Sequence, residues 1–181
     1  MTDKQSIELN KIPGNEFLKR AVEIALNGHH TITVIGNSNN GLENLETVFE
    51  NRINEQNSWL LTFISPCPCG NFEDNLLICN CISDTIIAYQ KTVEYQQAIR
   101  GEIIIRLLTP MFSDYSFNKN IDKQAIELLR TAFNRFHFTV NKMNKIVSVS
   151  KTIANMDNSE IIMPWHIAEA IQFSNIFQNK I

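Results

Sequence analysis

All four cysteines of this 181-residue chain fall within fifteen positions. Cys67 and Cys69 lie in Ser65-Pro66-Cys67-Pro68-Cys69-Gly70, and Cys79 and Cys81 in Cys79-Asn80-Cys81. Two short thiol arms joined by a loop can place four sulfurs around one zinc ion. A complete four-thiolate shell leaves no open position for water, so such a site is structural rather than catalytic. One residue between ligands makes a tight chelate, and Pro68 and Gly70 supply the turn that shapes it. The alternative is a set of reduced, partly buried thiols without a metal. A disulfide is disfavoured: no signal-peptide pattern opens the chain, and the expected compartment, the cytoplasm, keeps thiols reduced.

A second stretch has the outline of phosphate chemistry. The apolar run Thr31-Ile32-Thr33-Val34-Ile35 leads into Gly36-Asn37-Ser38-Asn39-Asn40-Gly41, and a helical pattern starts at Leu42. A phosphate-binding loop needs G-x-x-x-x-G-K-[ST]. Backbone amides cradle the phosphates, lysine reaches the β/γ oxygens and the hydroxyl holds magnesium. Here Leu42 and Glu43 stand in the last two places. One contact is lost and a like charge is added, so both changes oppose nucleotide. Nucleotide hydrolysis is not expected. Gly36, Asn37, Ser38, Asn39, Asn40 and Gly41 remain a candidate for weak anion binding at a helix N-terminus.

The elements that must position these stretches follow from periodicity. A helix is expected over 14–27 with Gly28 as its C-cap, and strands at 31–36, 58–64 and 102–108. Helices are expected over 42–56, over 83–98 with Ser83 as N-cap, and at about 120–136, 139–156 and 164–177, the last with Pro164 in its first turn. Residues 1–12 read as polar and loosely held. Strands alternate with helices up to Pro110, and helices alone follow. The fold class is therefore α/β: a small three-stranded parallel sheet with flanking helices, then a C-terminal helical lid. The expected division is 1–112 for the core, with its cysteine loop at 65–81, and 113–181 for the lid. Net charge is −3, against a generally basic nucleic-acid binder. It is uneven, however: seven Lys or Arg against two acids between Lys119 and Lys151 give that segment +5 and leave −8 elsewhere. No apolar run is long enough for a membrane span. His29 and His30 read as a helix-to-strand turn, His137 as part of an aromatic group, and His166 as a surface or packing residue.

These stretches together resemble the magnesium-chelatase-like AAA+ ATPases, in the competence-related ComM/YifB branch. Gly14 to Ala25 resembles that family's first helix, and His30 to Gly36 its strand into the phosphate loop. The cysteine loop is the most specific match. Ser150-Lys151-Thr152-Ile153-Ala154-Asn155-Met156 and Trp165-His166-Ile167-Ala168-Glu169-Ala170-Ile171 resemble its lid. The departures are several. Leu42 and Glu43 replace the loop's lysine and hydroxyl, Ser65 the sensor asparagine, and Asn141 the lid's sensor arginine. Arg100 stands where the arginine finger would, between Ile99 and Gly101, which depart from the family context. The strand carrying the magnesium-organising carboxylates has no counterpart. The resemblance implies the strand order 58–64, 31–36, 102–108, and the missing strand would expose the edge of Ser58–Ile64. That edge is expected to be covered by this chain or by a second copy.

The leading functional expectation is a shortened, non-catalytic module of this family, acting as an interaction or scaffold protein with structural zinc. Two other classes stay open. One is a weak ATP or ADP binder that uses the degenerate loop as a sensor; the other is a nucleic-acid accessory acting through the basic lid.

Overall fold

The structure is a computed structural model and describes residues 9–50, 60–117 and 119–174. The chain divides into two compact units, Met1–Pro110 and Met111–Ile181.

The first unit is a parallel three-stranded sheet with helices packed on it. In chain order it contains α1 (Glu16–Gly28), β1 (Ile32–Gly36), α2 (Leu42–Glu50), β2 (Leu61–Ile64), α3 (Ser83–Gln90), α4 (Val93–Ala98) and β3 (Ile103–Leu107). The sheet order is β2-β1-β3, with Val34 opposite both Phe63 and Ile105. All five residues of β1 are buried, which is why this strand is an unbroken apolar run apart from one threonine. That residue, Thr33, satisfies its hydroxyl by donating to the Ala98 carbonyl at 2.6 Å. Leu18, Val22, Ala25 and Leu26 of α1 and Leu45, Val48 and Phe49 of α2 close the core around it. At the N-terminal ends of the strands, the Glu102 carboxylate accepts from the Thr31 N–H, and the Thr31 hydroxyl accepts from the Glu102 N–H.

Four local expectations need correction. The segment before α1 is not all loose, because Leu9 and Ile12 are buried in this core. Gly28 is the last helical residue, and His29 carries the left-handed C-cap at φ 56°. Ser83 opens α3 while Ile82 is its N-cap. The helix expected over 83–98 is broken in two, since the Thr92 hydroxyl accepts from the Tyr95 N–H and starts α4 afresh. Among the described residues β2 pairs with β1 alone, and Leu61 to Ile64 are half-buried. Ser58 and Trp59 of the expected edge, and positions 51–56 of the expected second helix, lie outside the described residues.

The second unit contains α5 (Lys123–Phe136), α6 (Val140–Met156) and α7 (Pro164–Phe173). Asp122 caps α5 by accepting from the Gln124 and Ala125 amides, and Thr139 caps α6 by accepting from Lys142. A parallel bridge between Ile121 and Ile162 ties the entries of α5 and α7. His166 is fully buried, unlike a surface histidine. Its Nδ1 accepts the Met163 N–H at 3.0 Å, which puts the ring proton on Nε2, 3.1 Å from Asp157 Oδ2. One ring thus joins the end of α6 to the start of α7. His137 is the left-handed C-cap of α5. Among the described residues no helix is long and apolar enough to cross a membrane.

Candidate metal centre

Strand β2 delivers the chain into the cysteine loop at the C-terminal edge of the sheet. Gly70, at φ 81°, turns the first arm, and its N–H donates to the Cys67 carbonyl. Positive φ at this place is the conformation glycine adopts without strain. The second arm returns just before α3.

The four sulfurs converge. Cys67 Sγ lies 3.4 Å from Cys69 Sγ and 3.7 Å from Cys79 Sγ, Cys69 and Cys79 are 3.6 Å apart, and all four lie within 4.8 Å of one another. A tetrahedral ion with metal–sulfur bonds of about 2.3 Å requires sulfurs about 3.8 Å apart. The cluster is close to that spacing, far from the roughly 2.05 Å of a disulfide, and all four thiols are free. Cys67 is buried and the other three are half-buried.

Backbone amides supply a further layer. Cys69 accepts from the Asn71 and Asn80 N–H groups, Cys79 from Cys81, and Cys81 from Cys69. Amides aimed at sulfur stabilise thiolate and orient ligands around an ion. The thiols do not titrate alike. Burial pushes Cys69 up, but the Asn71 and Asn80 amides and the Cys67 and Cys81 thiols outweigh it and hold the group at about 6. At Cys79 the Cys81 amide pulls down, while burial and the Cys69 and Cys67 sulfurs push it up to about 12. Cys81 is raised for the same reasons, against the Cys69 amide. Four thiols this close cannot all ionise unaided. A bound dication would neutralise the repulsion and convert the whole set to thiolates.

The glycine loop stands beside this knot, and the amides of Asn39, Asn40 and Gly41 are turned inward. Ser38–Asn40 form a 3₁₀ turn. The Asn39 N–H donates to Asn37 Oδ1 at 3.0 Å, the Asn40 N–H to the Asn37 carbonyl at 3.0 Å, and the Gly41 N–H to the Ser38 carbonyl. A phosphate cradle needs such donors pointing at the ligand. Glu43 places its own carboxylate in the first turn of α2, where an anion would gain most from the helix dipole.

The cysteine loop also fills the place a ligand would take. In open parallel sheets ligands sit beyond the carboxyl ends of the strands. Here Asn71 Oδ1 accepts from Asn37 Nδ2 at 2.7 Å, and Asp74 Oδ2 accepts from the Thr109 hydroxyl at 2.8 Å and the Thr109 N–H at 3.2 Å. Thr109 Oγ1 in turn accepts from the buried Asn40 Nδ2 at 2.6 Å. Asn75 Nδ2 donates to the Thr109 carbonyl, and Arg106 pairs with Glu73. What remains between Gly36, Pro66, Gly70, Phe72 and Leu107 is a cavity of about 10 Å³. That is at most room for one water. The residues of this network, Asn71, Asp74, Asn75 and Thr109, carry no sequence signature, because each is recognisable only through partners 34 to 69 positions away.

Arg100 stands apart from this cluster, exposed in the turn between α4 and β3, with its N–H on the Gln97 carbonyl. Asn141 lies in the first turn of α6.

Compared with known proteins, residues 113–174 match the family described as magnesium chelatase, subunit ChlI C-terminal. No curated protein and no solved structure matches the chain. The helical unit is therefore similar to magnesium-chelatase-like proteins, over about a third of the chain.

Proposed function

We propose that this chain is a non-catalytic, shortened magnesium-chelatase-like module that acts by binding a protein partner, with structural zinc on Cys67, Cys69, Cys79 and Cys81. The observation that carries the reading is the cavity of about 10 Å³ at the sheet's carboxyl end, where the chain's own Asn71, Asp74 and Asn75 take up the polar groups a nucleotide would need. The sulfur spacing and the inward amides support zinc, which would supply cross-linking of two loop arms and no reaction chemistry. Leu42 and Glu43 support the loss of hydrolysis, since neither offers the lysine contact or the magnesium hydroxyl.

The half-buried Leu61–Ile64 edge is the proposed contact surface, and a second copy of the chain is its simplest occupant. The test is sedimentation of the zinc-loaded chain, with and without Thr62→Lys, because Leu61 and Phe63 pack on the core. A dimer that the substitution dissociates supports the edge. A monomer at all concentrations removes self-association and leaves a different protein partner to be sought.

A second reading has its own observation. The +5 stretch from Lys119 to Lys151 includes Arg130 stacked 5.2 Å from the Phe112 ring and Arg135 stacked 5.6 Å from the Phe136 ring. Arginine and aromatic faces together suit single-stranded nucleic acid. Binding that weakens steeply with salt would favour it over the protein-partner reading.

A further inference from the structure

The nine residues from Gly70 to Ile78 are held at both ends by the sulfur cluster, since Cys69 precedes them and Cys79 follows. Apart from the Asn40–Thr109 bond, the polar clamps on the sheet's carboxyl end described above come from inside that span. Asn71 holds Asn37, Glu73 holds Arg106, Asp74 holds Thr109 and through it Asn40, and Asn75 holds the Thr109 carbonyl. Asp74 is organised from within as well, since its Oδ1 accepts from the Leu76 and Leu77 amides at 2.9 and 2.8 Å. The span itself contains no strand or helix, and its side chains are half-buried or exposed rather than part of the core. With so little apolar burial of its own, its seating depends on where its ends are fixed. Closing it with a knot removes most of the entropy the free loop would regain.

We infer that residues 70–78 are a metal-controlled latch. With the four-thiolate knot loaded, the latch is clamped over the glycine turn. With the metal withdrawn, the Asp74–Thr109 and Asn71–Asn37 bonds open while the sheet stays folded, uncovering Asn37, Asn40 and Thr109 at the strand ends and freeing the already exposed Arg106 from Glu73. The sheet does not need the latch, because β1 is buried by α1 and α2 and its other end is tied by Thr31 and Glu102. This inference rests on the proposed zinc site, and zinc stoichiometry keeps the two separable.

The test is amide hydrogen exchange on the full chain, once with one equivalent of zinc and once after chelation under reducing conditions. Thr109 is the direct reporter because its N–H donates to Asp74, and Val34 in β1 is the internal control. The expected result is a rise in Thr109 exchange of about tenfold or more on chelation, with Val34 changed by less than about twofold. Asp74→Ala should give the same rise at Thr109 with zinc content unchanged, since it opens the clamp without touching a thiol. Unchanged Thr109 protection after chelation overturns the latch. Loss of Val34 protection with it also overturns the latch, because the knot would then staple the whole unit. Retained Thr109 protection in zinc-loaded Asp74→Ala overturns the clamp itself. A chain that takes up no zinc fails the metal reading directly, and the latch falls with it.

Discussion

Replacing Thr109 by valine keeps the side-chain shape and removes one hydroxyl, and the structure sets its cost. That hydroxyl accepts from Asn40 Nδ2 at 2.6 Å and donates to Asp74 Oδ2 at 2.8 Å. Asn40 is fully buried, and its Oδ1 already has no hydrogen-bond partner. In Thr109→Val the whole Asn40 side-chain amide would be stranded, at about 1–3 kcal/mol. The bond to Asp74 is charge-assisted, but this carboxylate is half-exposed and keeps the Thr109, Leu76 and Leu77 amides. Water can replace the hydroxyl there, so its loss adds roughly 1 kcal/mol. The expected destabilisation of the α/β unit is therefore about 2–4 kcal/mol. Asn40→Leu removes the stranded amide altogether. The double substitution should then cost less than the sum of the two single changes, by about 1–2 kcal/mol. The assay is urea unfolding read by hydrogen exchange at β1, which isolates this unit in a chain of two. If the two substitutions add to within about 0.5 kcal/mol, the Asn40–Thr109 bond carries no energy and the reasoning fails.

Three further outcomes follow from separate features. Alanine at Gly36 would place its Cβ 2.4 Å from the Leu107 carbonyl oxygen, costing roughly 1–3 kcal/mol, whereas Gly70→Ala meets nothing closer than 3.5 Å and loses about 1–2 kcal/mol to its positive φ; zinc affinity should fall in the second and hold in the first, as a zinc-competition titration would show. Glu102 is held below its usual range first by the Thr31 N–H and then by His30. A lowered folded-state pKa gives stability that is present above about pH 4.5 and lost as pH falls through the folded value, so Glu102→Gln should flatten the acid limb of a stability profile without reversing it. His166→Leu leaves the Met163 N–H and Asp157 without the ring that joins them, and should loosen α7 in hydrogen exchange by about 2–3 kcal/mol, with β1 unaffected.

The fold class was readable because β1 and β3 are short apolar runs between helical patterns, with parallel crossovers as the economical connection, whereas the strand order came from the family resemblance and is the order observed. The cysteine convergence was equally local, since four thiols in fifteen positions can hardly avoid one another. What stayed hidden is what depends on distance along the chain. Nothing near Asp74 announces that it reaches Thr109, and nothing near Asn40 says that its amide is buried against a strand end. His166 looked like an ordinary helical position because its partner, Asp157, lies in the preceding turn rather than on its own helix. The break at Thr92 escaped for a smaller reason: a threonine hydroxyl can serve a helix interior or start a new one, and periodicity alone does not choose.

The most direct measurement is a calorimetric titration of the reduced, zinc-loaded chain with ATP in the presence of magnesium. The closed crevice predicts no binding heat at concentrations up to the millimolar range with about one zinc retained per chain. Saturable binding with a micromolar Kd would contradict it, and would mean that the inward-turned glycine loop reopens to hold phosphate.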